Sequence, residues 1–568
     1  MKILNVFAAF TVLIVAFLFY RFVGQNAVNV PYFDDYAYLE YIIKFINAPN
    51  ALHFMQELEY KHNGHGVITA KLVFWLDYLM TGEANYRTLI LVGSGLVIGL
   101  FAYFWKILSV NCLSFWYALP VALFLFTPAY HENIFWAAAL WQYTASFAIG
   151  LLTYFLLSKK NNWAFTGAII GGYLLTYTNG NGLFGMYVGL VIPLLQTRYK
   201  KAIIWLAACI LTTVLFYWYY PFGFGSLGQE KSVRNSALTI VSFFGSCASY
   251  FRGRLPEVAV LGVGITLSLL GLALWLGVEY VKKLIAPRSK GKMLPVFTNT
   301  PVNLSLLALL AWLLVTGLGV ATARAVDTLE TPARYMIYSV MSVVALYVTF
   351  LLILPQRGQK ILTAGMTVVG IFFAVSTYMF AAPDVINFRN SLISDAFSLQ
   401  QHRRVTGKLE TMTNSVVKKY FDEAVEKGIY VIPTTALNEV NVISADTLTM
   451  PNVSLSVDID TLPAYGGILI NKVRNEQLVV SQDKPQNALF MVLKNDSTTY
   501  VTAVKQRPNR ERRSFLRTGN YFKEGFEAWI YQDNIPEGNY QVGFLFSESQ
   551  KPRLVYTSQR LIIQDFQK

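Results

Sequence analysis

Two adjacent carboxylates, Asp34 and Asp35, follow the first long apolar run by about ten residues, in the stretch Pro31-Tyr32-Phe33-Asp34-Asp35-Tyr36-Ala37-Tyr38-Leu39-Glu40. Carboxylates are costly in lipid, so a pair held beside an apolar run marks a candidate site; the plain alternative is a solvated or helix-capping pair. A carboxylate placed there can take a proton from a hydroxyl. Neighbouring side chains on a helix or strand diverge, so only one of the two can face a given acceptor. Asp34 is the first choice and Asp35 the alternate. His62 and His65 have metal-like spacing, but no third ligand stands near them, so no metal is indicated. The chain has no Gly-rich phosphate loop followed by Lys-Ser/Thr, no Gly-x-Ser-x-Gly elbow and no zinc-spaced Cys/His set.

These residues must be positioned by a membrane protein. Of 568 residues, 54% are hydrophobic and only 14% charged, which excludes a wholly soluble chain. Apolar runs at about 3–23, 88–108, 114–128, 137–157, 163–178, 183–196, 202–220, 258–281, 303–321, 335–354 and 361–381 predict about eleven transmembrane helices. The first lacks a small-residue cleavage site and reads as an uncleaved helix.

Short basic loops fix the sides. With Lys2 cytoplasmic, alternate loops carry Lys159-Lys160, Arg198-Lys200-Lys201, Lys282 to Lys292 and Arg357-Lys360, all on one face. This accounts for much of the net charge of +14 without nucleic acid. An odd number of crossings puts the N-terminus in the cytoplasm and the C-terminal region outside. The three cysteines, Cys112, Cys209 and Cys247, lie in the membrane half and read as packing residues.

Composition shifts near Ala382, dividing the chain into a transmembrane domain (1–382), a helical connector (383–428) and an extracytoplasmic β-sandwich-like domain (429–568). Alternating runs at 429–432, 453–457, 489–493, 500–504, 526–531, 540–546 and 553–556 predict its strands. The basic run Arg507 to Arg513 reads as a solvated loop.

An acidic motif directly after the first helix of a polytopic protein resembles the GT-C glycosyltransferases, a group that includes protein O-mannosyltransferases and the aminoarabinose transferase of lipid A. The resemblance covers about residues 1–382. Lys61-His62-Asn63-Gly64-His65-Gly66, leading into an amphipathic stretch, looks like a juxtamembrane helix of bacterial relatives that often carry His-Arg there. Gly66 fills the Arg position here, leaving Lys71 to supply charge. His131-Glu132-Asn133 is similar to a Glu-Asn-aromatic outer turn, so Glu132 is a candidate for ordering the acceptor or the Asp pair. The Arg-Tyr at Arg334-Tyr335, opening a late helix, looks like the family's phosphate-binding element. Arg suits that task through its planar fork. Arg324 lies in the same outer loop. Lipid anchoring is the plain alternative for Arg334.

The resemblance implies a polyprenyl-phosphate sugar donor, a glycan or lipid acceptor of the cell envelope, and action at the outer face of a bacterial cytoplasmic membrane; the residues indicate no cofactor and no divalent metal. Chemistry would be a single displacement with inversion, using one carboxylate base and cations for the leaving phosphate. The alternatives are a flippase or transporter of lipid-linked glycans, or a non-catalytic glycan-binding membrane protein. Carriers usually place polar sites near the midplane rather than at one face.

Overall fold

The computed structural model describes residues 2–62, 64, 66–218, 232–252, 255–285, 294–323, 331–405, 415–435, 437, 455–462, 468–478, 487–547 and 552–563. The chain divides into two compact units. One comprises Met1–Arg21, Ala48–Val73 and Val92–Tyr378; the other comprises Phe22–Asn47, Phe74–Leu91 and Met379–Lys568.

Among the described residues, eight helices are long and apolar enough to cross a membrane: Ile3–Asn26, Tyr86–Val110, Ala137–Ser158, Tyr199–Trp218, Pro256–Lys282, Pro301–Thr322, Ala333–Ile353 and Gln356–His402. The other three expected crossings form shorter helices. The run at 114–128 splits into a 3-10 turn, Phe115–Ala118, and a helix, Leu119–Leu125, with Pro120 in its first turn. The run at 163–178 is the helix Asn162–Thr176, about 22 Å long at 1.5 Å per residue, against a hydrocarbon core of about 30 Å. The third run breaks into Gly182–Val188 and Val191–Leu195.

In the first unit, apolar side chains that would be buried in a water-soluble fold stand exposed. Ile3, Val6, Phe10, Leu13 and Phe17 line one helix, and Ile203, Ile210 and Val214 another. Lipid is the solvent that makes such faces stable. Buried side chains give second donors to backbone oxygens at and just before the broken 182–195 segment, which also accept backbone N–H groups. Trp312 Nε1 donates to Asn181 O at 3.1 Å, Tyr154 Oη to Gly185 O at 2.8 Å, and Trp205 Nε1 to Met186 O at 3.0 Å. Gly182 is required there by close approach, since a Cβ would lie 1.7 Å from Leu175 O.

The second unit contains the end of helix α1 (Lys2–Asn26), helix α2 (Asp35–Ile46), the end of α4 (Ile68–Thr81) and the start of α5 (Tyr86–Val110). It also contains helix Ser415–Glu426 and eight strands. The helix Gln356–His402 runs through Pro383 without a break, so the change in composition at Ala382 falls inside one helix. Beyond it, Asn387, Asn390, Ser394 and Ser398 recur every three or four residues and are buried. Asn387 exchanges two hydrogen bonds of 3.2 Å with the backbone of Gln506, and Ser394 Oγ donates to Val501 O.

Strands β1 (Ser456–Leu462), β2 (Ile468–Asn475), β3 (Ala488–Lys494), β4 (Thr499–Ala503), β5 (Lys505–Pro508), β6 (Phe522–Tyr531), β7 (Gly538–Ser547) and β8 (Arg553–Ile563) form two antiparallel sheets. Their orders are β1-β2-β6-β5 and β4-β3-β7-β8. β3 shows the two-residue period at work. Leu489, Met491 and Leu493 join a core cluster with Val473, Phe526 and Ile530 of the other sheet; Phe490 and Val492 join a second cluster with Phe397 of the long helix. The stretch 429–432, expected as a strand, is irregular, and Tyr430 from it is fully buried.

Candidate functional site

Asp34 and Asp35 sit where the chain leaves α1 and turns into α2. Tyr32 O accepts from Asp35 N–H at 2.9 Å, and Tyr32 N–H donates back to Asp35 Oδ2 at 3.1 Å. The turn holds Phe33 at φ 46°, a left-handed conformation that is strained for a bulky residue and costs about 1–3 kcal/mol. Asp34 is the N-cap residue of α2, half-buried, and its side chain makes no capping hydrogen bond. Asp35 opens the helix and is only 1% exposed. The two carboxylates thus have different surroundings: Asp35 secures the turn from within, and Asp34 is the more accessible.

Around Asp35 the unit packs an aromatic floor. Tyr38 stacks on Phe74 at 4.2 Å, Tyr36 meets Phe421 at 5.8 Å, and Tyr86 meets Tyr430 at 5.7 Å. Tyr86 Oη donates to the backbone oxygen of Asp35 at 3.2 Å, and Tyr430 Oη to Asn29 O at 2.9 Å. Burial pushes the Tyr36 hydroxyl well above the usual phenol range, and Asp395, Tyr430 and Asp35 push it the same way, so it stays protonated. Asp395 is a residue that sequence reasoning passed over. It lies in what reads as a connector helix and is 1% exposed; its signal was the three-to-four-residue spacing of polar side chains around it.

In the first unit the structure brings Glu132 and Arg334 together, residues about 200 positions apart. Glu132 Oε2 accepts from the Arg334 backbone N–H at 3.0 Å and lies 3.5 Å from its Nη1. Asn133 Nδ2 donates to Arg334 O at 2.7 Å. The short helix His131–Phe135 therefore grips the 3-10 turn Ala333–Tyr335 that opens the helix Met336–Ile353. Glu132 meets one of the N–H groups that a helix start leaves unpaired, where the helix dipole also favours a negative charge. The Arg334 guanidinium lies 5.4 Å from the Tyr335 ring, which packs edge-on against Tyr143 at 5.7 Å. Tyr143 belongs to a π-helical turn, Leu140–Thr144, an irregularity that is frequent at functional sites.

Lys71, expected to supply charge for a phosphate, has its ammonium directed elsewhere. Nζ donates to Glu57 O at 2.7 Å, Leu58 O at 3.3 Å and Tyr60 O at 2.6 Å. These carbonyls end helix α3 (Ala51–Glu59), so all three ammonium N–H groups serve a helix C-terminus. Gly66 also has a local reason. A Cβ there would meet Tyr177 Cδ1 at 2.5 Å, which leaves no room for an arginine. Lys61 is a buried cation that sequence reasoning passed over; its Nζ stands 3.6 Å from the Phe216 ring centre, and burial lowers its pKa. His65 and Arg324 lie outside the described residues. Among the described residues, no group of three or more His, Cys, Asp or Glu side chains is arranged to hold a metal.

No family model, curated protein or solved structure matches the chain.

Proposed function

We propose that this protein is an integral-membrane glycosyltransferase of GT-C type, moving a sugar from a polyprenyl phosphate to a glycan or lipid acceptor outside the cytoplasm. The observation that carries the reading is the turn at the end of α1. It holds an accessible Asp34 beside a strained Phe33, with the neighbouring carboxylate buried as a strut.

Asp34 is the base. It takes the proton of an acceptor hydroxyl as that oxygen bonds to the anomeric carbon. The bond from that carbon to the phosphate oxygen breaks, polyprenyl phosphate leaves with the electron pair, and the configuration inverts. Arg334 is the proposed phosphate ligand. Glu132 orients its backbone, and the start of the Met336–Ile353 helix adds a favourable field for an anion. Lys71 is left out of this reading because its ammonium donates to the backbone oxygens of Glu57, Leu58 and Tyr60.

The two sheets are read as a β-sandwich, and the basic loops as cytoplasmic. Eight crossings would place both termini on one side. An N-terminus inside and a C-terminal domain outside require an odd number of crossings, with one or three of the shorter helices spanning as well.

The test is purified protein supplied with polyprenyl-phosphate sugars and candidate acceptors, with product stereochemistry read by NMR. An inverted glycoside formed by wild type and lost in Asp34→Asn supports the reading. Transfer that persists without Asp34 and Asp35 returns the protein to the transporter or binding alternatives.

A further inference from the structure

The second unit contains a cleft of about 340 Å³ whose lining includes neither Asp34 nor Asp35. Its polar lining includes Asn29, Arg87, Arg389 and Asn390 beside the hydroxyls of Thr434, Thr435 and Ser547, and among the described residues that line it none is acidic. The orientation of these groups is fixed by bonds they already make. Arg389 donates through Nε and Nη2 to Asn390 Oδ1, at 3.3 and 3.0 Å. That turns the Asn390 amide so that Nδ2 is its remaining group. This nitrogen is buried with no hydrogen-bond partner, on a residue with 0% exposure.

Asn29 is set in the same sense. Its Oδ1 accepts from Tyr86 N–H at 2.8 Å, leaving the amide N–H groups for a ligand. Arg87 spans the end of α1, donating to Ala27 O at 3.2 Å and Gly24 O at 3.3 Å. Two arginines and two asparagines whose amide oxygens are already engaged thus line one concavity. Such a set of donors without a carboxylate suits an oxyanion. Val30, Ile393 and Phe490 supply an apolar wall.

We propose that this cleft binds a phosphate group. The proposal does not depend on glycosyl transfer. Two sources share this chemistry: an anionic lipid headgroup and a free anion. The first is favoured by place, because the cleft lies where α1 ends and α5 begins. Both are candidate membrane crossings, so their ends lie near headgroup depth.

The test uses the full-length protein in phosphatidylcholine nanodiscs, with and without phosphatidylglycerol, and separately with inorganic phosphate. Binding is read by native mass spectrometry and by the shift in thermal unfolding. Two variants are compared. Asn390→Asp keeps an acceptor for Arg389 but replaces the unpaired donor with a negative charge. Asn29→Asp keeps the acceptor for Tyr86 N–H and does the same on the other side. Wild type is expected to bind one anion saturably, and each folded variant to bind at least about tenfold more weakly. Without the anion, Asn390→Asp should unfold at or above the wild-type temperature, because it pairs with Arg389. A response to phosphatidylglycerol alone identifies a lipid site, and a response to phosphate as well identifies a free-anion site. The proposal is overturned if wild type binds neither probe saturably, or if a folded variant binds as wild type does.

Discussion

Replacing Asp34 and Asp35 one at a time should break two different properties of the molecule. Asp35 is 1% exposed, and its Oδ2 receives the Tyr32 N–H at 3.1 Å. Asp35→Ala removes that acceptor and leaves a part-buried donor without a partner, at a cost of about 1–3 kcal/mol. For a unit of this size, that is a fall in melting temperature of roughly 2–12 °C. Asp34→Asn keeps the size and shape of a half-buried side chain at the start of α2 and should melt within about 0.5 kcal/mol of wild type. Its turnover should fall by about 10²–10⁴, because Asn keeps the shape and loses the basicity. Thermal unfolding in detergent and single-turnover transfer, run on the same preparations, separate the two. The reasoning is refuted if Asp35→Ala melts like wild type and has no activity while Asp34→Asn turns over normally. That result would move the base to Asp35 and leave the buried turn unexplained.

Arg334→Lys should lose turnover although it keeps the charge, because Lys lacks the bidentate fork, and Arg334→Ala should lose more; equal activity per inserted molecule in both would favour a lipid anchor. Lys71→Met should leave turnover per folded molecule near normal while lowering stability by roughly 1–3 kcal/mol, since three carbonyls at the end of α3 lose their donor; thermal unfolding beside transfer reads both. On the sheets, burial would raise the Glu527 carboxyl, but hydrogen bonds from Trp529 and Arg474 outweigh it and hold the group below its usual range. A carboxylate depressed in the folded state stabilises above its unfolded pKa, and this is lost as pH falls through the folded value; Glu527→Gln should therefore lower the melting temperature at neutral pH, with the gap closing in acid. For topology, a C-terminal alkaline phosphatase fusion should be active and a C-terminal fluorescent protein dark; the reverse pattern would place the sheets in the cytoplasm.

Much of the architecture was legible because lipid and sheets impose simple periods. A helix that crosses a bilayer needs about 20 apolar residues in a row, and eight of the eleven runs became such helices. The other three failed for a reason that hydropathy does not carry. An apolar run records burial, not continuity of the hydrogen-bond ladder, and the 182–195 run is interrupted between Gly182–Val188 and Val191–Leu195. Strands β3, β4, β6, β7 and β8 coincide with runs that read as strands in the sequence. β2 and β5 were passed over: Ile468–Asn475 mixes Asn, Lys and Arg into its alternation, and Lys505–Pro508 is a short, polar strand at the edge of its sheet.

The candidate residues show where one-dimensional reading ends. Glu132 and Arg334 were each visible as charges in turns between apolar runs, yet nothing in their spacing joins them; the join is made by a helix start that needs an acceptor. Lys71 looked like a free cation because its partners are backbone oxygens, which every sequence has. Asp34 and Asp35 are indistinguishable as letters. They separate because α2 begins between them. Once Asp35 is committed to the helix and to the Tyr32 N–H, it faces the floor of Tyr36, Tyr86 and Tyr430. Asp34 stands one residue earlier, outside the helical ladder, with Phe33 forced to a positive φ to place it there. The buried carboxylate thus fixes the backbone on which the accessible one is held. A base needs that fixed placement as much as it needs its charge, because proton transfer depends on reach before it depends on pKa.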